Sequence, residues 1–201
     1  MRLQSTPGIE EVIRSGFVSI MAQEIDRAAL AGSGASNQPT GVINQAGIGN
    51  VSIGTNGGSI TMDKLLDLRK EVAIDNGNVA NGAYVVNAKT ENALSQLKDS
   101  NGQYLLPVYG PELGKQQLAS RRLMVTNGCP SNLTKGSGTN LSAAIFGDFS
   151  DLYVGTWGEM EILVDQFSDF AKGTTAVRVL QSLDIAVGHA QSFAAIKDIN
   201  A

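Results

Sequence analysis

Charge is scarce in this chain, and so are aromatic rings. Of 201 residues, 17% are Asp, Glu, Lys or Arg and 5% are Phe, Trp or Tyr. It holds one cysteine, one histidine and one tryptophan. Each scarcity excludes something. The lone thiol, Cys129 in the turn-like Asn127-Gly128-Cys129-Pro130, permits no intrachain disulfide and fits a reducing compartment. The lone histidine, His189, is expected in a C-terminal strand as a packed or edge residue, and no Cys/His cluster offers metal ligands. No apolar run approaches the roughly 18 residues of a membrane span. Arg2 leads into polar residues and then an amphipathic helix, not the apolar core of a signal peptide. Positive charge is short as well. The net charge is -4, which argues against a nucleic-acid reader with a basic face, and the one basic cluster, Arg121-Arg122, reads as a solvated strand entrance.

Catalytic signatures are missing in the same way. There is no G-x-S-x-G elbow. Gly32-Ser33-Gly34 follows a helix and not a strand, so it fails the dinucleotide fingerprint on context. Gly114-Lys115-Gln116 lacks the spacing and the Ser/Thr of a phosphate loop. Asp75-Asn76-Gly77-Asn78 lacks the alternating acids of a calcium loop and reads as a helix stop. The residues therefore predict no catalytic, cofactor, metal or nucleic-acid site.

What is present is a long helix. Apolar residues at Ile9, Val12, Ile13, Phe17, Ile20, Met21, Ile25, Ala28 and Ala29 follow the stripe of a helix with one buried face. Thr6 fits the N-cap, Pro7 the first helical position, and Gly32 the stop. At 1.5 Å per residue this is a strut of roughly 36 Å. A loop-rich stretch from Gly32 to Ser59 carries eight glycines. Thr61 then caps a helix from about Met62 to Ile74 with Leu65, Leu66, Leu68, Val72 and Ala73 inward, and Asp75-Asn76-Gly77 ends it. Ala83–Val86 reads as a buried strand, and Asn87 caps a helix from about Ala88 to Lys98. Leu123–Thr126 and Ala143–Phe146 are further strands, separated by a polar loop from Ser131 to Asn140. Met160–Asp165 and Thr175–Val179 read as a hairpin turning at Asp169 to Gly173, with last strands at Leu183–His189 and Phe193–Ile196. With 42% hydrophobic residues the chain can bury an aliphatic core. Its surface, rich in Gly, Ser, Asn and Gln, suits a protein covered largely by copies of itself.

Taken in order, several stretches resemble the HK97-type major capsid protein family of tailed bacteriophages. They are Pro7-Gly8-Ile9-Glu10, Asp26 to Gly34 and Asn37 to Val42; Ala83-Tyr84-Val85-Val86-Asn87 and Asn101 to Leu105; Ile145-Phe146-Gly147-Asp148-Phe149-Ser150 with Tyr153; and Arg178, Ile185-Ala186-Val187 and Ser192 to Ala195. The resemblance implies an α+β, HK97-like capsid fold: a long spine helix, a peripheral β-hairpin domain (1–55 and 155–182) and an α/β axial domain (56–154 and 183–201). It implies a structural, non-enzymatic subunit of an icosahedral phage or prophage head. Pentamers and hexamers of this subunit would enclose double-stranded DNA without sequence-specific binding. The partners would be other copies of itself, with scaffold or protease and portal during assembly. The place would be the virion after assembly in the bacterial cytoplasm, with no membrane involved.

In the family an N-terminal arm and an extended hairpin loop precede the spine. Here the spine starts within ten residues of Met1, so the chain is expected to be a trimmed core that assembles poorly alone. A subset of the family cross-links subunits through a loop lysine, an asparagine and a glutamate. An ungapped match puts the last two at Gly173 and Leu180, so no isopeptide chemistry is expected. Two other readings remain: an encapsulin-like compartment shell enclosing enzyme cargo, and an unrelated α/β binding domain or enzyme with a deep polar pocket.

Overall fold

The computed structural model describes residues 9–105, 117–165, 167–168, 170–172 and 176–201. The first element is the spine, α1 (Ile9–Ala31). The expected cap Thr6 and Pro7 lie outside the described residues. The helix ends where Gly32 predicts, and for a steric reason. A Cβ on Gly32 would sit 2.2 Å from the Pro39 carbonyl oxygen, and one on Gly41 would sit 2.3 Å from the Gly32 nitrogen. The chain leaving the helix doubles back through Ser36 and Asn37, both at positive φ, and Ser33 pairs with Thr40. The Gly32 carbonyl then accepts from both the Gly41 N–H and the Asn44 amide, each at 2.9 Å, which pins the exit loop to the helix end.

Seven strands form one sheet. β1 (Gly49–Val51) pairs in parallel with β9 (Phe193–Ile199). The order continues through β6 (Gly138–Gly147), β2 (Ala83–Val86), β4 (Arg121–Val125) and β3 (Gln117–Leu118), while β5 (Leu133–Lys135) joins the outer end of β6. Side chains alternate between the faces. On one face Tyr84, Val86, Ala144, Phe146, Ala194 and Ile196 pack under α2 (Met62–Ile74) and α3 (Ala88–Ser95). On the other, Val85, Ala143, Ile145, Phe193 and Ala195 pack against Leu30 of the spine and Val42 and Ile43 of a short 3-10 turn. Each fully buried Leu or Phe contributes about 1.5–3 kcal/mol.

The helix caps form as read: Thr61 accepts from the Lys64 N–H and Asn87 from the Thr90 N–H. Several other expectations need correcting. Leu66 and Ala73 face water, because α2 buries only the Leu65, Leu68 and Val72 side. α3 stops at Ser95, three residues short of Lys98. The polar loop from Ser131 to Asn140 contains β5, a strand set by pairing with β6 and not by its own apolar content. The C-terminal hairpin is much longer than expected. β7 (Leu152–Asp165) pairs with β8 (Ala176–Val187), so Leu183–Val187 belongs to β8, and His189 lies beyond it in an exposed turn. Between these strands Phe170–Lys172 forms a 3-10 turn, while Asp169 and Gly173 lie outside the described residues. Residues 49–51, grouped with the spine in the sequence reading, sit in the larger sheet.

A polar knot ties three segments. Asp198 on β9 is 1% exposed, and its Oδ2 accepts from Lys135 Nζ (2.6 Å), the Ser52 hydroxyl (3.0 Å) and the N–H groups of Ile53 (3.0 Å) and Gly54 (3.3 Å). Burial pushes the carboxyl upward. The Lys135 ammonium, the two N–H groups and the hydroxyl outweigh burial and hold it below its ordinary value.

Two predictions follow from this geometry. Asp198 is stabilised as the anion, so its contribution is complete above the ordinary carboxylate range and is lost as pH falls through the depressed folded value. Asp198→Asn should cost about 2–3 kcal/mol in urea unfolding at neutral pH and flatten the acid side of the stability–pH curve. The β3–β4 turn places Ala119 (φ 50) and Ser120 (φ 62) in the left-handed region, which costs L-residues about 1–2 kcal/mol each. Changing this pair to Asn-Gly should raise stability by about 1–2 kcal/mol in the same assay.

Candidate assembly surface

The spine and the hairpin leave the sheet with many of their apolar side chains exposed or only half-buried. In α1 the stripe expected to be buried is fully covered only at its end: Ala28, Ala29 and Leu30 are buried and Ile13, Phe17, Met21 and Ile25 half-buried, whereas Val12 is 67% and Ile20 63% exposed. Apolar periodicity marks a face that something covers. Within one copy of the chain, the buried clusters of the sheet and hairpin base include only the last turn of the spine.

The hairpin repeats this arrangement. At its base Ile185 is buried with Ala28 and Ala29, and Leu152 and Leu183 pack beside them. The Gly188 N–H donates to the Asp151 carbonyl at 2.8 Å, closing the foot of the hairpin. Farther out, Leu163, Val164 and Leu180 are exposed, as is Phe167 beyond the end of β7. A two-stranded ribbon of this kind is marginal in water unless a face is covered. The ladder is also interrupted. Trp157 stands opposite Ser182 and Glu161 opposite Leu180, so residues 158–160 face Gln181 alone. Gly158, at φ 74, makes this bulge, and a bulge re-aims the side chains beside it.

Trp157 lies at this bulge, its ring over Gly155, and is 63% exposed. With Met21, Ile25, Arg27, Pro39 and Leu183 it lines an open hollow of about 440 Å³ between spine, exit loop and hairpin. Glu24 and Arg27 of the spine form an exposed ion pair, which lowers the pKa of Glu24 chiefly through the hydrogen bond from Arg27. Glu159 and Glu161, on either side of Met160, are exposed.

A second uncovered surface lies at the far edge of the larger sheet. Arg122 and Met124 point to the same face of β4, beside Ala83 and Val85 of β2. With Phe149 and Ser150 they line a hollow of about 370 Å³. Asp148 borders it but is already engaged, accepting from Asn81 Nδ2 (2.9 Å), the Ser150 N–H (3.0 Å) and the Ser150 hydroxyl (2.8 Å). Burial works against its charge, and these donors outweigh burial and keep its pKa low.

The residues weighed as candidate chemistry do not converge. Cys129 is buried, its Sγ donates to the Ala143 carbonyl at 3.3 Å, and burial pushes the thiol up to about 12, so it is packing and not a nucleophile. His189 is exposed in the turn after β8. Gly173 lies outside the described residues, and Leu180 is an exposed β8 residue opposite Glu161. Among the described residues no group of three His, Cys, Asp or Glu could hold a metal ion, and no helix is long and apolar enough to cross a membrane. Sequence reasoning passed over Trp157, Glu159 and Glu161. Their one visible signal was the lone tryptophan set between Gly155 and Gly158.

Known proteins align with this arrangement along nearly its whole length. The phage capsid family matches residues 3–198. The major capsid protein of Halomonas phage phiHAP-1 is 24% identical over 194 residues, covering 96% of this chain and 29% of that protein. The chain thus spans less than a third of that curated relative. Among solved structures, the capsid of an empty GTA particle computed with C5 symmetry superposes with a TM-score of 0.76 at 20% identity, covering 98% of this chain and 69% of the other. The holo-SrpI encapsulin complex from Synechococcus elongatus PCC 7942 superposes with a TM-score of 0.65 at 14% identity, covering 98% and 69%. The fold is the HK97-like α+β capsid fold, and the chain belongs to the phage capsid family.

Proposed function

We propose that this chain is a structural, non-catalytic subunit of an icosahedral tailed-phage or prophage head. Its copies associate into pentamers and hexamers and enclose double-stranded DNA without reading its sequence. The observation that carries this reading is the family match over residues 3–198 in a chain whose spine and hairpin leave large apolar side chains in water. Surfaces of this kind are interaction sites. The spine (α1) and hairpin (β7–β8) act as a stiff peripheral part and the seven-stranded sheet with α2 and α3 as an axial wedge. A net charge of -4 suits a wall that contacts packed DNA without holding it. Scaffold or protease and portal act during assembly in the bacterial cytoplasm, and the finished location is the virion.

A second reading, an encapsulin-like shell around enzyme cargo, is supported by the likeness in fold to the encapsulin complex. Particle contents separate the two. Electron microscopy of the expressed protein, alone and with any residues encoded upstream, is expected to show closed icosahedral particles. DNA-filled particles fit a phage head, and co-purifying enzyme fits an encapsulin. A protein that stays monomeric under crowding, high salt and co-expression with scaffold or protease would overturn both.

A further inference from the structure

We propose that the bulged segment of the β7–β8 hairpin, Trp157 with Glu159 and Glu161, docks on the Arg122–Met124 face of β4 in a second copy of this chain. The inference rests on the shell reading above and names one contact within it.

Charge complementarity chooses the occupant. The chain is poor in charge, and several of its described charges are already paired: Glu24 with Arg27, Asp67 with Lys64 and Lys70, Asp198 with Lys135. Among the described residues Glu159 and Glu161 have no ion-pair or hydrogen-bond partner, and neither does Arg122. Arg178 shares the outer face of the hairpin, opposite Leu163, yet makes no ion pair with either glutamate. Glu159 lies in the bulge and Glu161 at its end, beside Trp157. Arg122 sits two residues from Met124, which is 45% exposed on the same face. The chemistries match group by group. A guanidinium pairs with carboxylates and stacks on an indole, and a thioether packs against an aromatic edge.

Within one copy the two patches border different hollows: Trp157 faces the spine and its exit loop, whereas Arg122 and Met124 lie with Phe149 and Ser150. The hairpin base is held at the spine by Ile185, Leu152 and Leu183. Acidic and basic patches are different surfaces of one subunit, so their union is heterologous and head-to-tail, the kind that closes into rings. An exposed tryptophan at the centre with charges around it is the arrangement expected of an interface anchor.

A charge swap tests the contact, with shell yield read by electron microscopy and small oligomers by sedimentation velocity. Arg122→Glu alone, and Glu159→Arg with Glu161→Arg, should each reduce assembly about tenfold or more. The three changes together should recover it to within about twofold of wild type. Trp157→Ala should weaken assembly while leaving thermal unfolding unchanged, since its side chain is exposed. Shells that form equally well with Arg122→Glu, or a triple variant no better than its parents, would overturn the contact while leaving the shell reading intact. Charge-dependent small oligomers without shells would support the contact and overturn the shell. A wild type with neither overturns both.

Discussion

Strands β6 and β9 run side by side with nearly every side chain out of water, and this two-faced burial dictates where the rest can go. Residues 141 to 147 of β6 and 193 to 196 of β9 are buried without a break. Such strands need a layer on each side. One layer is α2 with α3, over Phe146, Ile196 and the Tyr84 ring, 4.6 Å from Phe146. The other is assembled from less: the last turn of the spine, the Val42–Asn44 turn and Phe149, whose ring meets Phe193 edge-on at 5.4 Å. Small residues at 143, 144, 194 and 195 let both layers approach closely. The thin second layer is why the spine is fully buried only at its foot.

That asymmetry connects fold to function. A core that ends at the foot of the spine leaves about five of its six turns, and most of the hairpin, outside any hydrophobic interior. Neither would hold its form alone in water: helices gain most of their stability from packing, and two-stranded ribbons need a covered face. Their apolar side chains are therefore left short of packing among the described residues. The seven-stranded sheet supplies what such an arrangement needs, a rigid body from which both arms project at fixed roots.

Local chemistry was legible in the sequence, and long-range pairing was not. Thr61, Asn87, Gly32 and Asp75-Asn76-Gly77 fixed the ends of the helices because capping and left-handed stops depend on a few adjacent residues. β5 was missed because Leu133-Thr134-Lys135 has no strand pattern of its own and exists through β6. β1 was missed for the same reason, since Gly49-Asn50-Val51 is extended only against β9 at the other end of the chain. The burial of α1 was only partly legible because periodicity marks a face that can be covered, not what covers it. The Asp198 knot was invisible because its donors come from residues 52 to 54 and 135, which only the fold brings together. Trp157 was visible as a residue but not as a surface, since its exposure follows from a bulge set by strand register.

The scarcity of charge gives the remaining charges their meaning. On an ordinary surface an unpaired glutamate or arginine is one among many, and solvent accounts for it. Here the charges nearest the core are spent on internal ties: Asp198 holds Lys135 and the 52–54 loop, and Asp148 holds Asn81 and Ser150. Others are paired along one helix, as in Glu24–Arg27 and Asp67–Lys70. Glu159, Glu161 and Arg122 follow neither pattern, and they sit beside the bulge and on the uncovered sheet face, where large apolar side chains also meet water. An apolar patch brings affinity without direction, and free charges at its rim supply register and choice of partner. In the contact proposed above, a mostly neutral, glycine-rich surface would keep copies from sticking at random while two small patches set how neighbours meet.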